Sequence, residues 1–124
     1  MGILAAKLGA DQPTPESVWE EVMRASDRIL AVCNPERIHV FGSAARGDFT
    51  HGSDIDLAIV FADEEACRVM KPLVYRAGPL SSYPCDVLCY SEPEFRRKSE
   101  QGGICAEILQ HGKVVYDKRA DPQA

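Results

Sequence analysis

Residues 41–61, FGSAARGDFTHGSDIDLAIVF, decide the fold and hold most of the candidate chemistry. The stretch places a Gly-Ser pair, an arginine and two aspartates one residue apart between two apolar runs. Short apolar runs bounded by turn residues are typical of strands in a core. Carboxylates at the start of such a strand are unfavourable unless a cation compensates them. The stretch therefore predicts two core strands with a charged site at their junction.

The composition places limits on this site. The chain has 124 residues, 45% of them hydrophobic and 27% charged, which is typical of one folded soluble domain. Its net charge of -5 argues against direct nucleic-acid binding, which needs clustered Lys and Arg. No apolar run is long enough for a membrane span or a signal-peptide core, so we expect a cytoplasmic protein. The five cysteines form no Cys-x-x-Cys pair, so we expect them to be buried thiols.

Helices and strands are predicted to alternate around the central stretch. Capping residues and apolar periodicity predict helices at residues 15–33, 43–46, 64–75, from 92 to the Gly102-Gly103 break, and 104–111. Strands are predicted at residues 37–41, 54–61, 83–90 and 113–116. We expect a single domain at residues 14–117, with a flexible leader at 1–13 and a flexible tail at 118–124.

Strand parity brings three carboxylates to one face of the sheet. Residues two apart in a strand point the same way, so Asp54 and Asp56 project together while the apolar residues between and after them face the core. The same parity in the third predicted strand places Asp86 on their side. Oxygen ligands without His or Cys favour a hard ion, Mg²⁺ before Mn²⁺. Three such aspartates can hold two ions for phosphoryl or nucleotidyl transfer.

The Gly-Ser element fits the same chemistry. Gly42 has no side chain, so the backbone can approach a ligand there, and Ser43 begins a short helical turn that can face an anion. Arg46 can offset part of the negative charge of a triphosphate. The pattern therefore predicts a phosphate site beside the carboxylates.

Three of these residues have alternative interpretations. Asp86 could be an edge-strand carboxylate that faces water, and Arg46 could simply pair with Asp48. His51 is interpreted as a solvated loop residue. The acidic run at residues 63–65 is interpreted as a helix cap rather than as a second metal cluster.

The spacing of these residues resembles that of a known enzyme superfamily. Gly42-Ser43, ten intervening residues and Asp54-Ile55-Asp56 are similar to the G-S-x10-D-x-D signature of the DNA polymerase β-like nucleotidyltransferases, and Asp86 matches the separate third aspartate. Within that superfamily the chain resembles the minimal nucleotidyltransferases over residues 15–117. The resemblance implies an α/β (α+β) fold, whose mixed sheet carries helices on one face and the metal site on the other.

The resemblance also implies roles for the site residues. Asp54, Asp56 and Asp86 would be the catalytic and metal-binding residues for two Mg²⁺ ions. The predicted nucleotide-binding residues are Gly42, Ser43, Arg46 and Ser53. The implied reaction moves a nucleoside monophosphate, AMP from ATP, to a hydroxyl group.

The short chain has no room for a separate acceptor-binding domain, so the acceptor is expected on a partner. Many minimal members are antitoxins that bind a HEPN-family ribonuclease toxin and adenylylate one of its tyrosines. The resemblance therefore implies an adenylyltransferase antitoxin of a type VII-like toxin-antitoxin pair. Two alternatives remain open: a small-molecule, aminoglycoside-type nucleotidyltransferase, and a non-catalytic module that binds the toxin. Homo-oligomerisation also stays open.

Overall fold

A computed structural model describes residues 12–120 of the chain. In this range five helices and four strands follow one another along the sequence. They are α1 (Pro15–Val32), β1 (Arg37–Phe41), α2 (Ser43–Arg46), β2 (Ile55–Phe61), α3 (Glu64–Tyr75), β3 (Cys85–Ser91), α4 (Glu92–Gln101), α5 (Gly103–His111) and β4 (Lys113–Asp117). The predicted order of elements is confirmed throughout this part of the chain.

The four strands form one mixed sheet in the order β3-β2-β1-β4. β1 pairs antiparallel with both β2 and β4, whereas β2 and β3 are parallel. The parallel pair requires a crossover, which α3 supplies. β2 is therefore a central strand, and β3 lies at one edge of the sheet.

One face of the sheet packs against helices α1 and α3, and the main core lies between them. Apolar periodicity predicts one apolar stripe along α1. This prediction is confirmed, because the four apolar positions of the stripe are buried there together with alternate residues of β2. The residues concerned are Val18, Val22, Ala25 and Ile29 of α1, and Ile55, Leu57, Ile59 and Phe61 of β2. Strand parity therefore assigned the core face of β2 correctly.

A second, smaller core covers part of the opposite face of the sheet. Ala58 and Val60 of β2 pack there with Phe95 of α4 and Ile108 of α5, and all four are buried. The mixed α/β class is thus confirmed, but the expectation that helices cover only one face needs a correction. Helices α4 and α5 follow β3 directly and fold back over the apolar half of this face, because Ala58 and Val60 must be removed from water.

Two strands start later than predicted, and β3 and β4 each extend one residue further than predicted. β2 begins at Ile55 rather than Asp54, and β3 begins at Cys85 rather than Tyr83. Pro84 has no N–H to donate to a ladder, so regular pairing starts after it. Its carbonyl nevertheless accepts a hydrogen bond from the Ile55 N–H at 2.9 Å, which places the starts of the two strands side by side.

The predicted leader (residues 1–13) and tail (residues 118–124) lie mostly outside the described residues. Just after β4, the Lys118 N–H donates to the Glu36 carbonyl at 2.9 Å, before β1. Across residues 12–120, no helix combines the length and the apolar character that crossing a membrane requires.

Candidate active site

The three predicted carboxylates lie at neighbouring positions on the second face of the sheet. Asp54 directly precedes β2, Asp56 is its second residue, and Asp86 is the second residue of β3. The parallel register pairs Asp56 with Asp86. Paired residues of adjacent strands lie about 5 Å apart at their Cα atoms, and their side chains share one face. The structure therefore places the three aspartates at neighbouring backbone positions on one face of the sheet.

The environment of Asp56 shows that this grouping has an electrostatic cost. Partial burial raises the pKa of Asp56, and the nearby charges of Asp86 and Asp54 raise it further. Arg46 acts in the opposite direction and lowers the pKa of Asp56. Asp54 and Asp86 are exposed, whereas Asp56 is half-buried. Asp56 is thus the carboxylate whose charge most needs compensation by a cation.

Gly42 forms the wall of the site next to Asp56. It has φ 70°, and a Cβ at this position would lie 2.2 Å from the Asp56 Oδ2 atom. Glycine is therefore required here for two reasons, the backbone conformation and the contact with the carboxylate. Phe41, which precedes Gly42, pairs with Asp56 in the β1–β2 register. This pairing holds Gly42 next to the carboxylate.

Ser43 and Arg46 belong to the single turn of helix α2 that follows Gly42. The Gly42 carbonyl accepts hydrogen bonds from the N–H groups of Ala45 and Arg46, and the turn ends at Gly47. Ser43 is half-buried beside Gly42. The Arg46 Nε atom lies 3.4 Å from Asp48 Oδ2, and both side chains are exposed. The alternative pairing with Asp48 therefore exists, while the influence on Asp56 places Arg46 near the carboxylates as well.

Ser53 stabilises the loop before β2. Its Oγ atom accepts a hydrogen bond from the Thr50 N–H at 3.0 Å, and its own N–H donates to the Thr50 carbonyl at 3.0 Å. These two bonds close the turn that leads into Asp54. The nucleotide-binding role of Ser53 stays a prediction.

The three carboxylates offer the oxygen ligands that divalent ions such as Mg²⁺ bind. Between residues 12 and 120, no three His, Cys, Asp or Glu side chains stand close enough together to hold a metal ion as they are. The backbone positions of the three aspartates are nevertheless adjacent, since Asp54 precedes Ile55 and Asp56 pairs with Asp86. Their oxygen-only chemistry and the open wall at Gly42 fit Mg²⁺, for which Asp54, Asp56 and Asp86 would be the ligands.

One residue of the site's surroundings was missed by the sequence analysis. Glu21 lies off the apolar stripe of α1, where periodicity predicts a residue facing solvent. Its Oε1 atom nevertheless accepts hydrogen bonds from the Ser81 hydroxyl (2.7 Å), the Ser82 N–H (3.0 Å) and the Ser82 hydroxyl (2.8 Å). These bonds, led by the Ser82 N–H, lower the pKa of Glu21 to about 2. Nothing local in the sequence signals this contact, since its partners lie 60 residues away.

The loop that Glu21 holds supports both carboxylate strands. Tyr83 at its end packs edge-on against Phe49, with ring centroids 4.9 Å apart, and against His51 in the loop before Asp54. Arg28 of α1 also donates to the carbonyl of Pro79 at 2.5 Å. The interpretation of His51 as a loop residue agrees with this position. The two loops that deliver Asp54 and Asp86 are thus packed together and anchored on α1.

A groove of about 600 Å³ runs along the edge of the sheet beside Asp86. Its walls are the end of α3, the loop that Glu21 holds and the start of β3, including Tyr75, Tyr83 and Asp86. Asp54 and Asp56 are not among its lining residues. The groove therefore adjoins the carboxylates on the β3 side only.

Comparisons with known proteins agree with this geometry. The sequence profile of the family described as Polymerase beta, Nucleotidyltransferase matches residues 27–121. A crystal structure from Sulfolobus solfataricus, described as that of a candidate nucleotidyltransferase, superposes with a TM-score of 0.57 at 23% identity. The alignment covers 85% of this chain and 87% of that one, and at this identity it supports the fold alone. No curated protein gives a significant sequence match.

Proposed function

The chain belongs to the polymerase β nucleotidyltransferase family, and we propose that it transfers AMP from ATP to a hydroxyl group of a partner protein. The observation that carries the proposal is the register of β2 and β3. It pairs Asp56 with Asp86, while Gly42 contacts the Asp56 carboxylate from the other side. The proposed phosphate site thus has carboxylates on one side and the backbone of Gly42 on the other. This arrangement suits in-line transfer of a phosphoryl group.

Each residue has a definite role in the proposed transfer. Gly42 leaves space for the Asp56 carboxylate, and the Ser43 hydroxyl donates a hydrogen bond to an oxygen of the triphosphate. Arg46 offsets negative charge on the phosphates, as it already does for Asp56. Asp86, on the edge strand, faces the acceptor and accepts the proton of its hydroxyl group. Two bound Mg²⁺ ions would supply charge stabilisation at the attacking and leaving oxygens.

The finer proposal concerns the acceptor and the biological role. We propose that the acceptor is a tyrosine of a HEPN-family toxin, and that the chain acts in the cytoplasm as the antitoxin of a type VII-like pair. The open groove beside Asp86 supports an acceptor that comes from another protein, because no element within residues 12–120 covers that side.

The proposal is tested by copurifying the chain with the protein encoded beside it and adding Mg²⁺ and ATP labelled at the α-phosphate. The expected result is label on a tyrosine of the partner. Asp56→Asn is expected to abolish this label, whereas Asp27→Asn, which removes an exposed carboxylate from α1, is expected to retain it.

Two results would contradict the transfer. Full neutralisation of the toxin by Asp54→Asn/Asp56→Asn, with no label on the wild-type complex, would instead favour a non-catalytic binding module. Label on a small molecule, tested with an aminoglycoside as the added acceptor, would favour small-molecule transfer.

A further inference from the structure

On one side of the three carboxylates an acceptor hydroxyl group can enter. A side chain of this same protein lies there. Gly42 contacts Asp56 from β1, so a triphosphate bound there leaves Asp86 at the opposite border of the site. β3 is the edge strand, and the 600 Å³ groove lies along it. A hydroxyl group in this groove therefore lies beside Asp86.

Two tyrosines line the groove together with Asp86. Tyr83 is half-buried, and its ring is fixed between Phe49 and His51. Tyr75 is 57% exposed, and its hydroxyl group donates to the carbonyl of Val87, the residue after Asp86, over 3.4 Å. Tyr75 thus places a phenol at the same edge of the sheet as the third carboxylate.

Tyr75 is also free to move without disturbing the core. It is the last residue of α3, and the chain turns immediately afterwards towards Gly78, which has φ 82°. The side chain that anchors this end of α3 in the core is the preceding Val74, which is 3% exposed. Rotation of Tyr75 therefore costs its long hydrogen bond to Val87, its contact with the Cys89 thiol and the cation–π contact of Lys71, whose Nζ atom lies 5.8 Å from the ring centroid, all at an exposed site.

We propose that Tyr75 is a site of self-nucleotidylation, at which the chain transfers AMP from Mg-bound ATP to its own phenol. The inference rests on the proposed function, since it uses the same carboxylates and the same triphosphate. It adds a second acceptor within the chain, located in the groove beside Asp86.

The transfer balances as an ordinary displacement at phosphorus. The phenolic oxygen of Tyr75 bonds to the α-phosphorus, the bond from that phosphorus to the oxygen bridging to the β-phosphate breaks, and pyrophosphate leaves. The phenolic proton passes to the Asp86 carboxylate and from there to water.

A base is needed because the phenol is not ionised in advance. Partial burial, Cys89 and the negative charge of Asp86 all raise the pKa of Tyr75. Tyr75 and Asp86 line the same groove, and the Tyr75 hydroxyl group donates a hydrogen bond to the carbonyl of the residue after Asp86. The carboxylate that disfavours the phenolate is therefore the group placed to remove its proton during the displacement.

Modification at this position would control the site. An adenylyl group on Tyr75 adds a nucleotide to a groove that would otherwise admit the acceptor. We therefore expect a self-modified chain to transfer AMP to its partner more slowly than an unmodified chain.

The test uses the purified full chain without its partner, Mg²⁺ and ATP labelled at the α-phosphate. Intact mass spectrometry is expected to show the addition of one AMP per chain, and peptide mapping is expected to place it on Tyr75. Tyr75→Phe is expected to lose the label, whereas Tyr116→Phe, which removes a phenol from β4 at the opposite edge of the sheet, keeps it. The labelling rate per chain is expected to stay constant when the protein is diluted, because donor and acceptor share one chain.

Four outcomes would overturn the inference. They are label that persists in Tyr75→Phe, label that maps to Tyr83, a rate per chain that falls on dilution, and an unlabelled chain that still labels its partner. The last outcome leaves the proposed function intact. Absence of label on both the chain and its partner, equal to that of Asp54→Asn/Asp56→Asn, would remove both proposals together.

Discussion

One face of β2, followed from Asp54 just before the strand to Val60, passes from an open region to a covered one. Asp54 and Asp56 lie at the open end, where no helix covers them, whereas Ala58 and Val60 are fully buried beneath α4 and α5. Side chains two residues apart thus have opposite surroundings on the same face. The open end carries charge that costs stability, and the covered end supplies burial that restores it. The two regions should therefore respond to mutation and to pH in opposite ways.

Asp56→Asn should give the largest effect and separate function from stability. We expect transfer to fall by roughly 10³-fold, since a charge that stabilises the transition state is lost. The raised pKa of Asp56 means that its ionised form is disfavoured in the folded chain at neutral pH. The metal-free variant should therefore have a slightly higher free energy of unfolding than the wild type. Transfer assays and urea unfolding without divalent ions measure the two quantities, and a loss of stability would contradict the interpretation.

Phe95→Ala should give the opposite result in the covered region. Phe95 is 3% exposed and stacks on His39 with ring centroids 5.3 Å apart. Its truncation is expected to cost about 3–4 kcal/mol in free energy of unfolding. The milder variant Phe95→Leu should cost about 1 kcal/mol and keep the transfer rate of the folded chain within about twofold. A large loss of transfer in well-folded Phe95→Leu would show that the two regions are coupled.

Acidification should weaken the covered region first. Burial, and then the charge of Arg37, lower the pKa of His39 from 6.5 to about 4, while Glu92 and Asp117 act in the opposite direction. The folded chain therefore holds neutral His39, and the unfolded chain takes up its proton more readily. The contribution of His39 to the free energy of unfolding should be fully present above pH 6.5. The free energy of unfolding should fall by about 2 kcal/mol as the pH is lowered to about 4.

His39→Leu tests this source of pH dependence. The difference in free energy of unfolding between pH 7 and pH 4.5 should be smaller in the variant than in the wild type. Asp56, in the open region, should contribute with the opposite sign, because its raised pKa means that protonation relieves repulsion. An unchanged pH dependence in His39→Leu would exclude His39 as the origin.

Gly42→Ala should give the most specific effect on stability. The backbone at Gly42 and at Gly47 has positive φ, but only at Gly42 would a Cβ meet another atom, Asp56 Oδ2. Gly47→Ala should therefore report backbone strain alone, at about 1 kcal/mol. Gly42→Ala should cost more than Gly47→Ala for two reasons, the contact with Asp56 and a backbone conformation (φ 70°, ψ −150°) that is essentially restricted to glycine. Only the contact should disappear in the Asp56→Ala background of a double-mutant cycle, which should lower the cost by about 1 kcal/mol. An equal cost in both backgrounds would contradict the contact.

The sequence predicted those features that depend on neighbours in the chain. Thr14, Asp63 and Ser91 each cap a helix with a side-chain oxygen, as their positions before the helices indicated. The alternation in β2 separated its core face from its site face, because parity needs no knowledge of the partner strand. The composition of this one strand was thus sufficient to locate Asp54 and Asp56.

The missing features depend on contacts between distant parts of the chain. The α4 segment is mostly polar, and its single buried residue, Phe95, could not indicate which face of the sheet it would cover. Glu21 lies among charged residues on the outer side of α1, and only the folded chain brings it to Ser81 and Ser82. The pairing of Asp56 with Asp86 likewise needed a register that parity alone does not provide.

The contact between Gly42 and Asp56 has a consequence for how this protein can diverge. While the carboxylate at position 56 remains, any side chain at position 42 collides with it, so selection on one position restrains the other. Replacing the aspartate by a smaller residue removes the collision but not the backbone requirement, because φ 70° and ψ −150° at position 42 form a conformation that is essentially restricted to glycine. A homologue that keeps this glycine after losing the aspartate would therefore be a descendant whose backbone turn outlived the carboxylate.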